Sequence, residues 1–243
     1  MPISRPEIHK DDIAASLWRK YERSEEYQSQ NRTESISSVH PLVKAAESNG
    51  LAKVIRAFVG ELVKEASLRT KYENRAPGDW VDEWKSMHEL LFKGVFKSRG
   101  SFRPNGHDVR FGSPGDEELH RIPWGGGQTT NEAHMLGRQI SEDLKFVSPE
   151  NVEAVCAFLA RSHYGFIRIH PFGDGNGRIG RALTDQLALS LGYPPVIAGF
   201  PRLNSEKKTR YHTAITGCIG NPSCYSLAAW IKEQIEIKIS EIA

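Results

Sequence analysis

Twelve consecutive positions constrain this chain more than any others: His170-Pro171-Phe172-Gly173-Asp174-Gly175-Asn176-Gly177-Arg178-Ile179-Gly180-Arg181. Before them, Val152, Val155, Cys156, Phe158, Leu159 and Tyr164 recur at helical spacing, and after them Leu183, Leu187 and Leu191 do the same. The chain must therefore leave one helix and enter another through a turn, and the glycines at 173, 175 and 177 give that turn conformations closed to other residues. Such a turn presents backbone N–H groups at a helix N-terminus, where the aligned peptide dipoles favour an anion. Arg178 and Arg181 are three residues apart on the first helical turn, so their two planar forks suit a polyphosphate better than a single phosphate. Asp174 would repel phosphate unless a divalent cation lay between them, which makes magnesium its natural partner. His170 precedes the loop, where an imidazole can take a proton from an attacking hydroxyl at near-neutral pH. Neither a Walker A sequence nor a Rossmann glycine pattern after a strand is present.

The rest of the chain reads as helices around that turn. Amphipathic spacing predicts helices over 12–28, 41–47 and 51–70. A break at Ala76-Pro77-Gly78-Asp79, with Asp79 as N-cap, opens another helix that carries Trp80, Trp84, Met87, Leu90, Leu91 and Val95 toward Gly100. Pro104-Asn105-Gly106, Ser113-Pro114-Gly115-Asp116 and Gly125-Gly126-Gly127 punctuate short apolar pieces, which predicts a small β-hairpin flap at about 102–124. Further helices follow over 131–144, 149–167, from 175–178 to 192, 205–217 and 226–239. The expected fold class is all-α with one flap, and the expected division is an N-terminal helical extension (1–79) and a core (80–243).

Composition narrows the function classes. With 32 basic against 30 acidic residues and a net charge of +2, no overall field points to nucleic acid or membrane. Cys156, Cys218 and Cys224 are an odd set without zinc spacing and fit reduced packing thiols. No leader-like or membrane-length apolar run stands in the chain, so cytoplasmic synthesis is expected; delivery into a host cell by a specialised machine would leave no such mark. His134, His163, His170 and His212 lack His-x-x-x-His spacing, which speaks against a catalytic zinc site. Trp80 and Trp84 share a helical face and read as core. The basic stretch 202–210 reads as a solvated helix start.

The run 170–181 resembles the signature of Fic-domain proteins, His-Pro-Phe-x-Asp/Glu-Gly-Asn-Gly-Arg-x-x-Arg, and meets each of its fixed positions. Gly100-Ser101-Phe102-Arg103 is similar to the Gly-x-x-Arg element that enters the flap in that family, and Tyr211 fits its closing helices. The resemblance covers about 80–235. It implies a helical Fic core that moves AMP from ATP to a Ser, Thr or Tyr hydroxyl of a target protein with magnesium. By the same resemblance His170 is the catalytic base and Asp174 holds the metal. Gly173, Gly175, Asn176, Gly177, Arg178 and Arg181 bind the nucleotide: the Asn176 side chain and the amides cradle phosphates, and Arg181 grips the γ-phosphate. Phe172 anchors the loop, and the flap docks the target by strand addition.

Many members of the family carry an inhibitory helix, Ser/Thr-x-x-x-Glu-Gly/Asn, whose glutamate pairs with the second signature arginine. The candidate here is Glu34 within Gln30-Asn31-Arg32-Thr33-Glu34-Ser35, with Gln30 where Ser or Thr is expected and Ser35 where Gly or Asn is expected. Glu47 is the second choice, and a separate inhibitory partner protein the third. Two other functions remain open: transfer of a different phosphate-containing group or removal of AMP on the same scaffold, and a non-catalytic nucleotide-binding module.

Overall fold

A computed structural model describes residues 68–93, 99–104, 109–110, 121–122, 126–194 and 205–242. These hold seven helices: α1 (Leu68–Glu73), α2 (Pro77–Leu91), α3 (Gly126–Leu144), α4 (Val152–Ile169), α5 (Asn176–Ser190), α6 (Ser205–Thr216) and α7 (Tyr225–Ile242). Two short strands, β1 (Val109–Arg110) and β2 (Arg121–Ile122), pair antiparallel with Val109 opposite Ile122. The remainder of the expected flap lies outside the described residues. So do Glu34, Glu47 and the helices expected before α1.

α4 is the central helix. Asn151 caps it, its Oδ1 accepting from the Ala154 N–H at 3.0 Å, while Glu153 in the first turn and Arg168 in the last complement the helix dipole. Val155, Phe158, Leu159, Phe166 and Ile167 are buried against α7, α5 and α3. Each such side chain contributes about 1.5–3 kcal/mol by leaving water. Trp80, Trp84, Met87 and Leu91 put α2 onto the same core, with Trp84 edge-on to Phe166 at 5.2 Å between ring centres. The Trp80 indole N–H donates to Ser141 Oγ at 2.8 Å, so its one polar atom costs little to bury.

Two expectations need correction. α2 does not begin after an Asp79 cap: it begins at Pro77, the missing N–H of which is lost at no cost in a first turn, and Asp79 is the third residue of the helix. α3 starts at Gly126 rather than near 131, so two of the three glycines read as turn enter the helix. Leu68 and Tyr72, at the end of the expected extension, pack into the main core, and Arg69 donates to the Leu144 and Val147 carbonyls at 3.1 and 2.8 Å, satisfying the end of α3. Arg75 is held between the Tyr72 and Trp80 rings and pairs with Glu83, which locks α1 to α2. No helix among the described residues is long and apolar enough to cross a membrane.

Candidate functional site

The site forms where α4 ends and α5 begins. His170 is the C-cap of α4 and has a left-handed backbone, φ 49° and ψ 58°, which stops the helix and turns the chain back over the core. A left-handed residue with a side chain is costly, and Arg103 secures this one. Its backbone N–H donates to the Pro171 carbonyl at 2.8 Å, its Nε to the His170 carbonyl at 2.7 Å and a terminal nitrogen to the Ile169 carbonyl at 3.3 Å. The entry to the flap is thereby bound to the His170 turn.

His170 Nδ1 lies 3.2 Å from the Ile167 carbonyl. A carbonyl only accepts, so Nδ1 carries the proton and Nε2 is the basic nitrogen. One edge of the residue reaches solvent. Burial of the rest holds its pKa at about 4; the Arg103 charge lowers it further, and the Ile167 carbonyl and Asp174 oppose this. The imidazole is thus neutral at physiological pH.

Gly175 caps α5 at φ 81°. Its carbonyl already accepts from the Arg178 and Ile179 N–H groups, both at 3.0 Å, while the first helical amides, Asn176 and Gly177, have no intrahelical acceptor. Asp174 Oδ1 accepts from the Gly175 N–H at 2.5 Å and from Arg178 at 3.1 Å, and Arg178 also lies over the Phe92 ring at 4.9 Å. Arg181 leans the other way, with its guanidinium carbon 6.0 Å from the centre of the Tyr211 ring and one terminal nitrogen 3.3 Å from where a Cβ on Gly177 would stand. Two guanidiniums therefore flank the amides at the start of α5.

The Asn176 side chain does not have the phosphate-facing role expected of it. It is buried, its Oδ1 accepts from the Phe172 N–H at 2.9 Å, and its Nδ2 donates to the Phe172 carbonyl at 2.7 Å. That ring of bonds fixes the turn and leaves the backbone N–H as the group Asn176 offers an anion. Phe172 is fully buried, as an anchor should be.

His88 escaped the sequence reading. Its Nδ1 accepts from the Gly100 N–H at 2.8 Å, its Nε2 lies 3.2 Å from the Asp174 carbonyl, and its ring stacks on Phe172 at 4.0 Å and 6°. Burial lowers its pKa to about 3, and the neutral Nε2–H form satisfies both contacts. The available signal was its place in the apolar stripe Trp80, Trp84, His88, Leu91.

The arrangement can bind a polyphosphate and deprotonate a hydroxyl. A cation accompanying phosphate also fits: Asp174 Oδ2 is a buried carboxylate oxygen with no hydrogen-bond partner, the hard donor that magnesium prefers. No cluster of three or more His, Cys, Asp or Glu that could hold a metal occurs among the described residues. His163, weighed above with His170 as metal-binding, engages both ring nitrogens within the protein.

Residues 80–188 match the Fic/DOC family. Over 40 residues the chain is 52% identical to Protein adenylyltransferase Fic of Aedes aegypti, which covers 16% of this chain and 8% of that protein. Over 72 residues it is 36% identical to the protein of the same name from Drosophila erecta, covering 30% of this chain and 12% of that one. The matched stretches thus span only a small part of these curated relatives. Among solved structures, Fic-1 from C. elegans superimposes with a TM-score of 0.57 at 18% identity, over 84% of this chain and 53% of that one. BepC, a VirB-translocated effector from Bartonella tribocorum with bound AMPPNP, gives a TM-score of 0.50 at 17% identity, over 75% of this chain and 86% of that one. At such identities the likeness is one of fold. The turn from His170 to Arg181 falls within the stretch 80–188 that matches the Fic/DOC family, and the helical architecture is the fold of these Fic structures.

Proposed function

We propose that the chain is a protein adenylyltransferase that moves AMP from ATP to a Ser, Thr or Tyr hydroxyl of a target protein. The observation that carries this reading is the coupling of a neutral imidazole to an anion-binding helix start: His170 ends α4, Gly175 opens α5, and Arg103 and Asn176 fix the turn between them. The relatives named protein adenylyltransferase and the AMPPNP-bound fold neighbour support ATP as the donor.

The Asn176 and Gly177 amides, with Arg178 and Arg181, hold the phosphate chain by charge and fixed geometry. Arg181 is assigned the γ-phosphate. Asp174 Oδ2 would hold a magnesium ion, which when bound would offset phosphate charge. His170 Nε2 takes the proton of the target hydroxyl as its oxygen forms a bond to the α-phosphorus. The bond from that phosphorus to the bridging oxygen breaks, and pyrophosphate leaves. The segment around β1 and β2 offers backbone groups for docking an extended target strand. Glu34, Glu47 or a separate protein would restrain the activity by competing for Arg181, and the reaction would run in the cytoplasm or in a host cell.

Mass spectrometry of the protein and a lysate after incubation with ATP and magnesium tests the reading, using wild type, His170→Ala and Glu34→Gly. The expected result is a mass increase of one AMP on a protein, absent in the His170 variant and greater in the Glu34 variant. If no AMP appears on any protein in any variant, while ATP binding is measurable, the adenylyl-transfer reading is wrong.

A further inference from the structure

Tyr211 is buried on α6, its ring packed between Trp230 at 5.2 Å and His163 at 5.7 Å. Behind it lies a chain of hydrogen bonds with a determined direction. Thr184 Oγ1 donates to the Gly180 carbonyl at 2.8 Å, because that carbonyl can only accept. His163 Nδ1, 3.1 Å from the same carbonyl and 2.8 Å from Thr184 Oγ1, must therefore also be the donor. In a neutral ring Nε2 is then the acceptor, and the Tyr211 hydroxyl, 2.6 Å away, donates to it. Burial keeps His163 neutral, with a pKa of about 4. The phenol proton is thus committed inward, and the oxygen's lone pairs are left for Arg181. That guanidinium lies with its carbon 6.0 Å from the centre of the Tyr211 ring, near enough for its charge to act on the phenol oxygen. Among the described residues no carboxylate pairs with Arg181, in contrast to Arg178, which Asp174 holds.

The geometry points to Thr184, His163 and Tyr211 as a positioning relay for Arg181: a buried, one-directional hydrogen-bond chain that aims the guanidinium at the terminal phosphate of a nucleoside triphosphate. It rests on the reading of Arg181 as a phosphate ligand. Arg181 is long and flexible, and fixing it beforehand removes the ordering cost that would otherwise weaken each phosphate contact. Such a relay favours triphosphate over monophosphate, since only the triphosphate reaches Arg181.

Calorimetric titration of the full chain with AMP and with a non-hydrolysable ATP analogue separates the possibilities, using wild type, Arg181→Ala, Tyr211→Phe and His163→Phe. The relay predicts that Tyr211→Phe, which keeps the ring and loses only the hydroxyl, weakens the triphosphate analogue roughly three- to tenfold and leaves AMP affinity unchanged. His163→Phe should do the same, and Arg181→Ala should exceed both. Loss of triphosphate affinity in Arg181→Ala with none in Tyr211→Phe overturns the relay alone. Wild-type triphosphate affinity in Arg181→Ala overturns the underlying reading of the arginine and the relay with it. Equal loss of AMP and triphosphate affinity in Tyr211→Phe marks a merely structural residue and overturns the relay too; that variant decides the matter even if His163→Phe does not fold.

Discussion

Replacing Gly175 with alanine perturbs the turn at its most constrained point. Its φ of 81° lies in the left-handed region, where a Cβ costs about 1–2 kcal/mol. The added methyl would stand 2.5 Å from Phe92 Cε2, 2.9 Å from its Cζ and 3.2 Å from Leu91 Cδ2. Phe92 and Leu91 are fully buried, and His88 packs on the Phe92 ring at 4.7 Å, so the ring has no open space to move into. Forcing a methyl into such a core costs about 1–3 kcal/mol, and reduced freedom of the unfolded chain returns roughly 0.4–1 kcal/mol. The net expectation for Gly175→Ala is a loss of about 2–4 kcal/mol, a fall in Tm of roughly 5–15 °C. Gly173→Ala is the internal control: nothing lies within 4 Å of its added Cβ and its φ is ordinary, so its Tm should stay near wild type. Thermal denaturation of the three proteins by circular dichroism reads the difference. If Gly175→Ala melted with the wild type, the close packing of the turn on α2 would be refuted, and with it the view that the anion site is held rigid before ligand arrives.

Two predictions follow from the buried imidazoles. The folded-state pKa values of His88 and His163, about 3 and about 4, lie below the ordinary 6.5. The unfolded chain therefore binds protons that the folded chain refuses. Their contribution is intact above about pH 6.5 and shrinks as the pH falls toward 4, by about 2 kcal/mol per imidazole at pH 5. Urea unfolding at pH 7 and pH 5 checks this, and because His170 is depressed in the same way, His163→Phe should remove about a third of the histidine share. With His170 at about 4 in the free protein, the acid limb of kcat/KM should fall well below 6.5. The limb of kcat should lie higher, because bound phosphate charge favours the imidazolium; coincident limbs near 6.5 would refute the burial argument.

What the sequence disclosed was local. The glycine spacing, the two arginines and the apolar periodicities on either side are properties of a short window, and the turn between α4 and α5 stands where they indicated. What it withheld depends on distant partners. His88 resembles any polar position on an amphipathic helix until the fold brings Gly100 and Asp174 to its two nitrogens. Arg103 was noticed only through resemblance, since its acceptors are carbonyls more than sixty residues away. Asn176 misled because an amide beside an anion site suits phosphate contact and loop bracing equally, and the Phe172 backbone chose the second. Asp79 misled because proline at a first helical position competes with an acidic cap, and proline prevailed at Pro77.

The left-handed backbone at His170 puts two demands on one codon. Ending α4 there is work that glycine does without strain, whereas the proposed proton transfer needs the imidazole. A lineage released from selection for activity has one substitution, to glycine, that would relax the helix end and silence the base together. Inactivity of that origin would come with relief of backbone strain at the helix end, so a screen for folding alone would not select against it.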